Sequence, residues 1–123
     1  MKFLCLGYLN EKEFDSLSEA EKSEAMKDCG KHCETMNATG QIIAEASLRI
    51  STEARTVRIR NGKQTVTAGA FMDCKEQLGG FFIVEAADLD EAVSVASLHP
   101  AALLGEEFGW GIEVRPIMEE NLF

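Results

Sequence analysis

TVTAGAFMDCKEQLGGFFIVEA, residues 65–86, is the stretch from which the arrangement of this chain can be read. It carries a strand end, a glycine-bearing turn, the charged knot Asp73-Cys74-Lys75-Glu76, a Gly79-Gly80 pair and the apolar run Phe81–Val84. An apolar strand entered through two glycines marks backbone that passes close to something else, since only glycine leaves room for such an approach. The strand therefore reads as buried, and the polar knot ahead of it as a place where a site would sit.

Upstream, Thr56–Thr67 holds Asn61-Gly62 between two β-rich arms, TVRIR and KQTVT. Such a pair favours a type I′ hairpin turn, because both residues tolerate positive φ. Val57 and Ile59 belong on one side of this hairpin, Arg58 and Arg60 on the other. Gln41–Ile50 reads as the preceding strand, with Ile42, Ala44, Ala46, Leu48 and Ile50 in period two. Earlier still, Ser18 and Glu21 form a capping-box pattern, and the helix that starts there should run to about Asn37, ahead of Gly40. Ala25, Cys29, His32 and Met36 share its apolar stripe, which Met26 and Cys33 widen. Lys22, Glu24, Lys27, Asp28, Lys31 and Glu34 form its solvent face. Asn10–Leu17 reads as a loop anchored by Phe14 and Leu17. Lys2–Leu9, nearly all apolar, reads as a central strand buried on both faces.

Downstream, Thr67–Leu78 is expected to be a loop with a helical turn near Lys75–Leu78, followed by a strand over Gly80–Ala86. Asp88–Glu91 is a second acidic helix start, and Leu89, Ala92, Val93 and Ala96 place a core-facing stripe on the helix it opens. That helix must stop by His99, because proline disfavours helical backbone in the residue before it. Ala101–Trp110 reads as an irregular connection and Gly111–Met118 as a closing strand, with Pro116 at an edge or at the strand end. The order is β-α-β, a β-hairpin, then β-α-β. Two such halves around one antiparallel sheet make an α+β, ferredoxin-like split-βαβ arrangement with an inserted β-hairpin. Two helices cover one face of the sheet and leave the other to a partner. A homodimer with sheets face to face is the simplest closed solution.

At 123 residues the chain is expected to be a single domain, residues 1–123, with one core. A formal net charge of −9 argues against nucleic-acid binding, which depends on clustered Lys and Arg. The one basic cluster, Arg55, Arg58, Arg60 and Lys63, reads as a solvated hairpin face. No run approaches the ~20 apolar residues of a membrane span. Lys2 and Phe3–Leu9 imitate a signal peptide only until Asn10-Glu11-Lys12-Glu13 interrupts them, so no membrane association and a cytoplasmic setting are expected. Cys5, Cys29, Cys33 and Cys74 show no disulfide framework. Cys29 and Cys33 lie one helical turn apart on the apolar stripe, where thiols act as small hydrophobes, and no metal site is expected from them.

Proton transfer near neutral pH is histidine chemistry. The two histidines, His32 and His99, are therefore the first candidates; each can also be structural, His32 as a satisfied core residue and His99 as a helix C-terminal cation. Asp73, Lys75 and Glu76 either present charge to a cleft or form a solvated ion-paired loop. Arg115 suits a bidentate anionic ligand or a cross-sheet ion pair. Trp110 lines a pocket mouth or plugs the end of the fold. With no glycine-rich phosphate loop, nucleophile elbow or dinucleotide fingerprint present, no cofactor is expected.

Lys75-Glu76-Gln77-Leu78-Gly79-Gly80-Phe81-Phe82 resembles the KEQLGGF signature of the DGPF-domain, or YCII-related, proteins. The likeness continues through Thr56-Val57-Arg58, Ala87–Ala92, His99-Pro100-Ala101-Ala102 and Glu113–Glu119, nearly the whole chain. The resemblance implies a ferredoxin-like domain forming a dimeric α/β barrel. It also implies a histidine on the first helix, here His32, paired with a residue before a proline, here His99 in place of the family's Asp. The Asp-Gly-Pro-Phe motif itself reads Ala68-Gly69-Ala70-Phe71, without its carboxylate and proline. DGPF domains often accompany extracytoplasmic-function sigma factors. Two functional classes follow: a small-molecule enzyme or ligand binder with a histidine-based cleft using His32, His99 and Asp73, or a non-catalytic dimeric sensor or regulatory module.

Overall fold

The computed structural model describes residues 1–27 and 29–119. The described chain runs β1 (Lys2–Leu9), α1 (Glu11–Asp15), α2 (Glu19–Met26), α3 (Cys29–Asn37), β2 (Ile42–Ser47), β3 (Arg55–Arg60), β4 (Lys63–Ala68), β5 (Gln77–Glu85), α4 (Leu89–Ala96), α5 (Pro100–Leu103), α6 (Gly105–Phe108) and β6 (Gly111–Pro116). Four strands form one antiparallel sheet in the order β2-β5-β1-β6, and β3-β4 stand apart as a hairpin. The first and second strands of the sheet flank the third, as a split βαβ requires. The protein is thus α+β with the ferredoxin-like order and the hairpin inserted between β2 and β5.

Local chemistry explains the elements. Asn61 and Gly62 have φ of 52° and 74°, the paired positive values of a type I′ turn. Ser18 accepts from the Glu21 N–H while Glu21 accepts from the Ser18 N–H, a complete capping box. Asp88 caps α4 by accepting from the Glu91 N–H.

Several elements differ from the sequence expectation. Residues 10–17 hold a helix, α1, because buried Asn10 caps it by accepting from the Glu13 N–H. The single long helix is two, α2 and α3, divided just ahead of Gly30, a poor helix former; Asp28 lies outside the described residues. β5 begins at Gln77, so no helical turn forms near Lys75–Leu78, and residues 69–76 are irregular. Residues 100–108 form α5 and α6. On α4 the buried row is Ala92, Val95 and Ala96, while Leu89 and Val93 stay exposed, because the helix turns its small residues to the sheet.

Strand register sorts the sheet into two faces. On one, successive rows read Pro116–Phe3–Val84–Ile42, then Val114–Cys5–Phe82–Glu45, then Ile112–Gly7–Gly80–Ser47. The first two rows carry the core, closed by Met36 of α3 and Ala92, Val95 and Ala96 of α4. The opposite face reads Arg115–Leu4–Ile83–Ala44, then Glu113–Leu6–Phe81–Ala46. None of the helical residues in the core cluster lies on that second face.

Candidate functional site

A cleft of about 740 Å³ opens on the helix-covered side, where the third row of the sheet carries only Gly7, Gly80 and Ser47 between strands β1, β5 and β2. The rows beyond it fill their space with Phe3, Val84, Cys5 and Phe82, so the void is written into the strands as missing side chains. A Cβ on Gly7 would meet only the Gly80 carbonyl oxygen, at 3.7 Å, and otherwise open space. At Gly80 a Cβ would lie 3.0 Å from the Ala46 oxygen, which keeps β2 close. The volume is that of a small-molecule site.

The walls come from α1, α3 and the start of α5. α1 is tied across the cleft end by Glu11, whose carboxylate accepts from the Ser51 backbone N–H at 2.9 Å and from the Ser51 hydroxyl. Phe14 of α1 lies 5.8 Å from the Trp110 ring, and Phe108 lies 5.2 Å from the same ring. Both Phe14 and Trp110 line the cleft. The Trp110 Nε1–H is buried without an acceptor among the described residues. Cys29 and Cys33 of α3 line the cleft together, and burial, then the nearby Glu45 carboxylate, pushes the Cys33 thiol up from its ordinary pKa. No disulfide joins the described cysteines, and buried Cys5 is pushed up to about 11 by desolvation.

His99 is the titratable group most deeply built into this wall. Its Nδ1 accepts from the Ala101 N–H at 3.0 Å, and its ring stacks on Phe82 at 4.9 Å and 8°. The residue is the N-cap of α5, not a helix C-terminal cation: Pro100 holds it extended at φ −70°, ψ 143°, and occupies the first helical position itself. Acceptance at Nδ1 puts the proton of the neutral ring on Nε2. Burial lowers the His99 pKa below the ordinary 6.5, and the Glu45 carboxylate opposes part of that shift.

The other candidates are distributed elsewhere. His32 is half-buried on α3, does not line the cleft and its side chain makes no hydrogen bond to a described residue; its neighbours Cys29 and Cys33 take the cleft face. Asp73 and Lys75 line a second, polar cavity of about 540 Å³ with Asn10 and Lys12, while Glu76 is exposed and lines neither. Arg115 is exposed on the opposite sheet face, 3.5 Å from Glu113. Trp110 is in the main cleft. The structure thus joins His99 to Trp110 and separates both from His32, Asp73, Lys75, Glu76 and Arg115. Among the described residues no three His, Cys, Asp or Glu side chains converge as a metal site requires. No described helix is long and apolar enough to cross a membrane.

Two cleft residues are absent from the sequence expectation. Gly7 hides inside an apolar strand. Glu45 falls between the apolar positions of a period-two strand, yet an irregularity between Ile42 and Ala44 shifts the alternation and sets Glu45 opposite Phe82.

The YCII-related domain model matches residues 1–121. An uncharacterised protein of Rhizobium meliloti (strain 1021) is 32% identical over 96 residues, 78% of this chain and 77% of that protein. Among solved structures, 5-chloro-2-hydroxyhydroquinone dehydrochlorinase from Burkholderia phenoliruptrix AC1100, in complex with 2,5-dihydroxybenzoquinone, is 18% identical with a TM-score of 0.49. That alignment covers 96% of this chain and 94% of that one.

Proposed function

The chain belongs to the YCII-related family, and from that premise we propose that it is a small-molecule enzyme or ligand binder working in the cleft above Gly7 and Gly80. The observation that carries this reading is His99, stacked on Phe82 in the wall of a roomy, aromatic-lined cleft and kept neutral by burial. With Nδ1 accepting from the Ala101 N–H, the neutral ring offers its Nε2–H to a ligand as a donor; service as a base at Nε2 requires the Ala101 bond to open, since Nδ1 then carries the proton. His99 is the group we assign to proton transfer, in place of His32. Lys75, Glu76, Asp73 and Arg115 have no part in this assignment. The working form is a cytoplasmic homodimer; cysteines without a disulfide among the described residues suit a reducing compartment. The face of Leu4, Leu6, Phe81 and Ile83 meets a second copy. With a charge of −9, no nucleic-acid partner is assigned.

A second reading, a non-catalytic dimeric sensor or regulatory module, is favoured by the backbone N–H that His99 caps, since a ring used to start a helix is also a structural device. A thermal-shift screen of small acids, aromatics and amines separates the two. Ligand bound to the folded state alone raises the melting temperature by mass action, about 2.7 kcal/mol at a hundredfold excess over its Kd. His99→Asn preserves the cap, since Asn is a good N-cap residue, and removes the imidazole. Hits in the wild type that this variant loses support the first reading. Hits that survive it, without turnover, support the sensor.

A further inference from the structure

Among the described residues, six titratable side chains line the cleft besides His99: Tyr8 from β1, Glu11 and Asp15 from α1, Cys29 and Cys33 from α3, and Glu45 from β2. Three are carboxylates, and among the described residues no lysine or arginine lines the cleft. Glu11 is engaged by Ser51. Glu45 makes no hydrogen bond or ion pair to a described residue. Its place is set by the sheet: it pairs directly across from Phe82 on the same face, and His99 stacks on that same Phe82 ring. Glu45 and His99 therefore flank one aromatic side chain on the cleft floor. The remaining surface is apolar and aromatic, with Phe14 and Trp110 facing the cleft and an unsatisfied Trp110 Nε1–H in the wall.

We propose that Glu45 is the counter-charge of this cleft and sets its ligand class: aromatic molecules that are cationic or uncharged, with carboxylates refused. The proposal rests on the cleft being the ligand site. A carboxylate ligand would enter a partly desolvated space beside three like charges with no cation to meet it, and repulsion between like charges grows as water is excluded. An ammonium group instead forms a charge-assisted hydrogen bond to Glu45. Its ring rests against Phe14 and Trp110, where aromatic contacts favour offset or tilted stacking.

Three probes of one size and different charge test this: benzylamine, benzyl alcohol and benzoate, titrated into the labelled protein and followed by amide shifts. The expected result is that benzylamine and benzyl alcohol move the Gly7, Gly79, Gly80 and His99 signals while benzoate leaves them in place. Glu45→Gln then weakens benzylamine by on the order of fivefold, the scale of one partly exposed ion pair, and leaves benzyl alcohol unchanged. Benzoate binding as tightly as benzylamine, or an unaltered order in Glu45→Gln, overturns the proposal. Failure of all three probes to shift the cleft signals, or shifts that persist in Gly7→Val, refutes the cleft reading itself and the selectivity with it. A readout without ligand stands beside these. Glu45→Gln should lower the His99 imidazole pKa in a proton NMR titration, and an unmoved titration shows that Glu45 does not face His99.

Discussion

Replacing Gly7 by valine separates the cleft from the stability of the fold, because the two should move in opposite directions. Gly7 sits in β1 on the same face as Phe3 and Cys5, so a side chain there faces the helices. Its Cβ would contact only the Gly80 oxygen at 3.7 Å, an ordinary distance, and the rest of the side chain would stand in the open cleft. Glycine inside a strand costs about 0.5–1 kcal/mol relative to a residue with a side chain, and β-branched residues suit strands. Gly7→Val should therefore gain about 0.5–1 kcal/mol, a rise in Tm of about 2–4 °C for a domain of this size. The methyls occupy the floor beside Phe82, so any small molecule that stabilises the wild type should lose its effect. Thermal unfolding with and without ligand reads both quantities. A variant that melts several degrees lower, or one that binds ligand as the wild type does, refutes the placement of the cleft above Gly7 and Gly80.

Other perturbations follow from single contacts. Gly80→Ala sets a Cβ 3.0 Å from the Ala46 backbone oxygen, so it should lose about 1–2 kcal/mol by prising β2 from β5, measured by urea unfolding. Gly105→Ala drives a Cβ into the Trp110 carbonyl; a loss of about 2–4 kcal/mol and a shifted Trp110 fluorescence maximum are expected. The His99 pKa is lowered on folding, so the stability this supplies is fully present above pH about 6.5 and is lost as pH falls through the folded-state value. His99→Asn should flatten that segment of the stability–pH curve. Leu6→Glu, opposite Phe81 on the sheet face without the helical core residues, should turn the proposed homodimer into a monomer by sedimentation at unchanged helix content.

Much of the fold is legible in local chemistry. Asn61-Gly62 announces its turn, Ser18 and Glu21 their capping box, and the apolar runs of β1 and β5 their central places in the sheet, although β1 buries only Phe3 and Cys5 on one face rather than both faces as expected. What escapes a linear reading are features set by neighbours. Asn10 looks like a loop residue until its amide is seen capping α1. Pro100 reads as the end of one helix, yet it also starts the next and thereby fixes His99 as a cap facing the cleft. Glu45 follows the wrong phase of its strand because one residue is added ahead of Ala44. Gly7 matters only because Gly80 lies opposite it, a pairing that register alone reveals. His32 has the right chemistry on the right helix, but Cys29 and Cys33 occupy the cleft-facing positions beside it.

The most direct test is a crystal structure of the protein with the tightest ligand from the thermal-shift screen. A ligand seated above Gly7 and Gly80, within hydrogen-bond distance of the His99 Nε2, is the expected result. A ligand in the cavity beside Asp73 and Lys75, or on the uncovered face of Leu4, Leu6 and Phe81, would contradict the assignment of the cleft as the working site.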